Sequence, residues 1–143
     1  MEPIIWGPPY WFMLHTMAFH YPLHPTTIQK KIYHRFIHNL YEFIPTKTIG
    51  TTFQKLLIKN PVSPYLDNRK DFIKWMHHMH NLVNIRIGVP TITLEQHVED
   101  FNSLFESKQD RLERLWKEKL KLIGMTSCVI LIPFFIYKRS QHK

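Results

Sequence analysis

The stretch that most restricts how this chain can fold runs from Phe72 to Asn84, because it carries two different stripes at one helical period. Phe72, Met76, Met79 and Val83 recur at i, i+4, i+7 and i+11, the spacing that sets apolar side chains on one face of an α-helix. His77, His80, Asn81 and Asn84 recur at i, i+3, i+4 and i+7 on a second face. A water-facing helix surface normally carries Lys and Glu. Imidazoles and carboxamides instead offer donors and acceptors without formal charge, a set suited to a polar ligand held in a cleft. The same spacing also fits an ordinary core helix whose His and Asn happen to align.

The flanking sequence supplies helices to pack against it. Pro8-Pro9 suits a first helical turn, where a missing N–H is not needed, so a helix is predicted over residues 10–20 and ended by Tyr21-Pro22. Trp11, Leu14 and Ala18 share a face of it, with His15 beside them. Thr26 or Thr27 caps a second helix to about Phe43, with Ile28, Ile32, Phe36, Leu40 and Phe43 inward and Lys30, Lys31, His34, Arg35 and His38 outward. Ile44-Pro45 breaks it. A third helix starts near Thr46–Thr48 and ends at Asn60-Pro61, and a turn-rich loop covers Val62 to Asp67. Asp67 or Asn68 caps the central helix, Asp71 suits its first turn, and Gly88-Val89-Pro90 ends it. Thr93 starts a last helix that runs into the charged stretch Glu106 to Lys121, where pairs such as Glu113 and Lys117 stand at i, i+4. No strand pattern or internal repeat appears. The predicted fold is all-α: a four-helix up-and-down bundle, its neighbours antiparallel across short connections, plus a short fifth helix.

From Leu122 to Tyr137 there are sixteen residues without a charge. As a helix they span about 24 Å against about 30 Å of hydrocarbon core, a deficit that snorkelling by Lys119, Lys121, Lys138 and Arg139 can cover. The favoured reading is a C-terminal transmembrane helix; a buried or partner-binding segment is the other. The expected organisation is a helical domain over 1–104, a charged connecting helix over 105–121, a membrane anchor over 122–137 and a basic tail over 138–143. Lysine and arginine on both sides leave the orientation open.

A net charge of +8 is compatible with nucleic acid, an anionic membrane surface or an acidic cofactor. No basic tract with interleaved aromatics occurs, so specific nucleic-acid binding is not expected. The one cysteine, Cys128, rules out an internal disulfide, and residues 1–6 show no signal-peptide pattern. His34 with His38, and His77 with His80, can each set two nitrogens on one helix face. Neither pair has a third ligand close in sequence and HExxH is absent, so no metal is expected.

Two motifs resemble a known family. Trp75, His80-Asn81, Val83-Asn84 and Gly88-x-Pro90 are similar to the W-x-x-x-x-H-N-x-V-N-x-x-x-G-x-P signature of the flavin-linked sulfhydryl oxidases of the Erv/ALR family. Trp6-Gly7, Trp11 to Ala18 and Tyr21-Pro22 resemble that family's opening, and the likeness covers roughly residues 3–100. It implies an FAD pocket lined by Gly7, Trp11, His15, His77, His80, Asn81, Val83, Asn84 and Arg86. An indole face can stack on a ring, His and Asn can bond ribose and adenine edges, and Arg86 can meet the pyrophosphate. Val89 replaces a basic residue usual in the family, and Asp100-Phe101-Asn102 stands where an Arg-Trp pair is expected.

The family's Pro-Cys-x-x-Cys becomes Pro45-Thr46-Lys47-Thr48-Ile49. Thr46 and Ile49 cannot form a disulfide, so no catalytic residue is expected and thiol oxidation by the family's own route is closed. The resemblance leaves three readings. The chain is a structural or partner-binding member that keeps the fold, a flavoprotein oxidase served by another protein's thiols, or an empty scaffold. Compact, tail-anchored chains of this kind resemble those of large DNA viruses. That likeness implies a minor component at the inner membrane and capsid interface of a virion, bound to other virion or membrane proteins. A homodimer through the first two helices is implied as well, with Tyr33, Ile37 and Tyr41 suited either to that interface or to the core.

Overall fold

The computed structural model describes residues 2–123. The chain divides into two compact units, Met1–His97 and Val98–Lys143. The first holds α1 (Pro3–Phe19), α2 (Thr27–Asn39), α3 (Lys47–Lys59), α4 (Arg69–Ile87) and the start of α5 (Leu94–Ser103), with 3-10 turns at Leu40–Phe43 and Ser63–Tyr65. No strand occurs among the described residues.

α4 is the centre of this unit and packs against α1 and α3. Its predicted stripe of Phe72, Met76, Met79 and Val83 is buried, and Trp75 joins it, donating its indole N–H to the Asn60 carbonyl at 3.0 Å. Asn68 caps the helix by accepting from the Asp71 N–H, and Gly88 closes it at φ 73°, a left-handed conformation that glycine adopts without strain. Tyr21 seals one end of the core. Its hydroxyl donates to the Leu66 carbonyl at 2.9 Å, and its ring meets Tyr33 and Phe72 at 4.6 and 4.9 Å.

Three expectations need correction. α1 starts at Pro3, not after Pro9; Pro3 takes the first-turn position, and Pro8 and Pro9 lie within the helix. Each removes one backbone donor, and the affected turn carries Ile4 and Ile5, which are exposed, so water is at hand for the freed carbonyls. In α2 the inward face is Tyr33, Ile37 and Leu40, while Ile28, Ile32 and Phe43 are exposed. Tyr33 packs edge-on against both Tyr21 and Phe72, a favourable ring geometry that the aliphatic stripe does not offer. Ile37 is fully buried, and the half-buried Tyr33 and Tyr41 pack against the core. Finally, the last helix is not continuous. α5 ends at Ser103, and a new helix begins at residue 108, where the Ser107 hydroxyl accepts from the Asp110 N–H at 3.1 Å.

Within the second unit Arg114 gathers Glu99, Glu106 and Glu118, and Lys117 meets Glu113 at 3.7 Å as the spacing predicts. The pairs with Glu99 and Glu118 and the Lys117–Glu113 pair are more exposed and contribute little stability, while the Arg114–Glu106 pair is partly buried. Among the described residues no helix is long and apolar enough to cross a membrane. The predicted anchor lies outside the described residues from residue 124 onward.

Gly50 sets the approach of α3 to the 3-10 turn before it. A Cβ there would sit 2.6 Å from the Tyr41 carbonyl oxygen, a backbone atom that cannot step aside. Gly50→Ala is expected to cost up to about 2 kcal/mol, an overpacking penalty of about 1–3 offset by about 1 of helix propensity. A lowered urea midpoint at constant slope would record it; an unchanged midpoint would show that the turn yields.

Candidate functional site

α1 and α4 cross so that the two sequence motifs meet. Trp11 from α1 stacks on His80 from α4, with centroids 4.0 Å apart and planes 12° from parallel. One turn along α1, His15 Nε2 lies 2.9 Å from His80 Nδ1, a hydrogen bond in which one neutral imidazole donates. His97, from the first turn of α5, lies against His15 at 3.8 Å between centroids and 5.3 Å from His77. Four histidines from three helices therefore form one cluster.

The carboxamides of α4 explain how α5 arrives there. Asn81 Nδ2 donates to the Ile92 carbonyl at 2.9 Å, and the Ile92 N–H donates back to Asn81 Oδ1 at 3.3 Å. That reciprocal pair fixes the orientation of the amide, so the further contact of Nδ2 with His77 Nε2 at 3.1 Å makes this nitrogen the acceptor and places the His77 proton on Nδ1. Asn84, also buried, reaches the Pro90 carbonyl at 3.5 Å. Thr93 and Gln96 then cap α5 reciprocally, at 3.2 and 3.1 Å. Asn81 thus works first as a clamp that folds residues 88–93 back along α4.

Burial holds His15, His77 and His80 neutral. His15, 3% exposed, is pushed down to about 2, by desolvation first and then by His97, His80 and His77. His80 is pushed down to about 4 by burial, then by His97 and His77, and His77 is lowered mainly by burial. Two nitrogens, His15 Nδ1 and His77 Nδ1, are buried without a hydrogen-bond partner, an arrangement that costs about 1–3 kcal/mol apiece when nothing satisfies it.

Trp11 also lines a small apolar cavity of ≈ 30 Å³, bounded by Trp6, Leu14, Ile49, Phe53 and Val83 among others. Ile49 and Thr46, the residues that the resemblance sets against the family's dithiol, lie at this cavity and next to its wall. Ile49 lines the cavity, and the Thr46 hydroxyl accepts from the Trp6 indole N–H at 3.1 Å.

Of the residues singled out by sequence, the structure joins Trp11, His15, His77, His80 and Asn81 in one network, with Val83 at the cavity and Asn84 under Pro90. Gly7 and Arg86 make none of these contacts; Gly7 has open space over its Cα, and Arg86 is exposed. His97 was not foreseen. Its only trace in the sequence is the Thr93-x-x-Gln96 cap, which starts a helix just ahead of it.

The sequence profile of the Erv1/Alr family matches residues 8–102, and the chain belongs to that family. Its relatives are FAD-linked sulfhydryl oxidases by name. The mitochondrial FAD-linked sulfhydryl oxidase erv1 of Schizosaccharomyces pombe is 32% identical over 80 residues, which make up 56% of this chain and 44% of that protein. The probable FAD-linked sulfhydryl oxidase R368 of Acanthamoeba polyphaga mimivirus is 27% identical over 110 residues, 76% of this chain and 77% of the relative. The putative FAD-linked sulfhydryl oxidase 347L of Invertebrate iridescent virus 6 is 30% identical over 98 residues, 64% of this chain and 87% of the relative. The chain thus spans less than half the length of the yeast relative and most of the length of the viral ones. Among solved structures, the FAD binding domain of Erv1 from Saccharomyces cerevisiae superposes with a TM-score of 0.62 at 27% identity, covering 66% of this chain and 89% of that one.

Proposed function

We propose that this chain keeps the family's nucleotide-binding scaffold, has lost its redox dithiol, and serves as a membrane-attached structural or assembly component of a large DNA virus particle. The observation that carries the reading is the chemistry at Thr46 and Ile49. One is a hydroxyl bonded to Trp6, the other a branched alkyl group at the cavity wall, and the sole cysteine is Cys128. Disulfide exchange needs a thiolate and a second thiol within reach. The viral relatives support the source, and the uncharged run from Leu122 to Tyr137 supports the attachment.

FAD is the group named in the relatives, and the residues present fit it chemically. His15 Nδ1 and His77 Nδ1 are buried polar atoms awaiting partners, and Trp11 supplies an aromatic face. Trp11, His15, His77, His80 and Asn84 would hold it, with Arg86 the cation nearest in sequence for its phosphates. The Trp11–His80 stack closes the space between those two rings and must open for entry, at about 0.5–1.5 kcal/mol. Bound there, FAD would supply a two-electron acceptor; the residues around it bind, orient and exclude water.

The test is spectroscopic. The purified full chain, mixed with FAD and freed of excess, is expected to carry one flavin per chain by its visible absorption. Trp11→Ala is expected to weaken uptake about 5- to 150-fold, since an aromatic–base stack is worth about 1–3 kcal/mol. A colourless protein that retains no FAD would refute the flavin half of the proposal.

A further inference from the structure

We propose that His15, His80 and His97 form a binding site for one divalent transition-metal ion, Zn²⁺ in the first instance. One ring nitrogen from each lies within 4.8 Å of the other two. Three imidazoles are the protein share of an open four-coordinate zinc site. Zinc bonds of about 2.0–2.1 Å in tetrahedral array set neighbouring nitrogens roughly 3.3 Å apart, so modest ring rotations close the set. His15 Nε2 and His80 Nδ1 are already at 2.9 Å, pressed together by a shared proton. On metal binding each ring carries its proton on the other nitrogen, Nδ1 for His15 and Nε2 for His80, so no proton is gained or lost. The rings come from three helices, α1, α4 and α5, so the tertiary fold holds the three ligands together, and His15 and His97 are buried. The Asn81 clamp on Ile92 also holds the start of α5 in place. Outer contacts of that kind orient ligands in known metal sites. The fourth position falls to water or to a small anion, of which the anion also offsets the buried charge.

This goes beyond the flavin reading and does not need it. Both readings use the rings of His15 and His80, so the ion and the nucleotide exclude one another, and each has its own optical signal. The pair His34 and His38, half-buried and exposed with rings 5.5 Å apart, is the natural decoy.

The experiment titrates the full chain, stripped with chelator, with Co²⁺ and then Zn²⁺. The expected result is one Co²⁺ per chain with the intense visible bands of a four-coordinate site, displaced by one Zn²⁺. His97→Gln is expected to weaken binding by at least the roughly 10–100-fold that loss of even an outer-shell partner costs, and His34→Ala with His38→Ala to leave it unchanged. Long-range ¹H–¹⁵N spectra of the native chain give a readout that survives misfolding of a variant: ring nitrogens of His15, His80 and His97 must move with Zn²⁺. Absence of four-coordinate bands, or binding lost with His34 and His38 and kept in His97→Gln, would overturn the proposal. A flavin-free protein that binds Co²⁺ leaves this site standing and refutes only the flavin reading.

Discussion

Between about pH 7.5 and about pH 5, the metal-free helical unit is expected to lose about 4 kcal/mol of stability, a large part of the 5–15 typical of a small domain. His15 and His80 have ordinary affinities for protons once unfolded, near 6.5, but are pushed down to about 2 and about 4 in the fold. The unfolded chain therefore takes up protons first. The stabilisation is complete above about pH 6.5 and shrinks as the pH falls towards the folded values, at about 1.4 kcal/mol per pH unit for each ring. At about pH 5 that amounts to about 2 kcal/mol per histidine. The groups facing these rings are His77 and His97, with Glu95 acting on His77, and a positive charge on any of the histidines disfavours the next. Urea unfolding in chelator at a series of pH values should give a midpoint that drops steadily below about pH 6.5. A midpoint flat down to about pH 5 would mean that the cluster is open to water.

Placing a dithiol at residues 46 and 49 is expected to give the chain thiol-oxidase chemistry. Thr46 lies at the N-cap of α3 and Ile49 one turn in, with the Ile49 N–H bonded to the Thr46 carbonyl at 2.9 Å. Two cysteines at these positions would meet across the first turn, where the helix N-terminus favours a thiolate. Thr46→Cys with Ile49→Cys is expected to cost about 2–3 kcal/mol, from the lost Trp6 hydrogen bond and the thinned cavity wall. In exchange, the variant with FAD should consume oxygen in dithiothreitol well above free FAD. A folded, flavin-loaded double variant that stays at the free-FAD rate would show that more than the sulfur pair is missing.

The sequence made α4 legible because both of its stripes follow one period and its ends carry Asn68 and Gly88. It misled over α2, where two apolar series share Leu40 and only the packing of Tyr33 against Tyr21 and Phe72 decides between them. Pro8-Pro9 read as a start because a proline pair inside a helix is costly; exposed Ile4 and Ile5 show a solvated turn in which that cost is met. At the site, Trp11, His15, His77 and His80 were legible as residue types with a shared role. Asn81 was legible as a hydrogen-bonding group, but its partner, the Ile92 backbone, depends on how residues 88–93 turn back. His97 belongs to the site only through that turn, so no spacing along the chain reveals it.

The most direct measurement is oxygen uptake by the native full chain, saturated with FAD, in dithiothreitol. A working oxidase would convert dithiol and O₂ to disulfide and H₂O₂, drawing on thiols the chain itself does not place at residues 46 and 49. The account predicts a rate equal to that of the same concentration of free FAD. A rate that rises above it in proportion to protein would contradict the loss of the dithiol function and establish an active thiol oxidase.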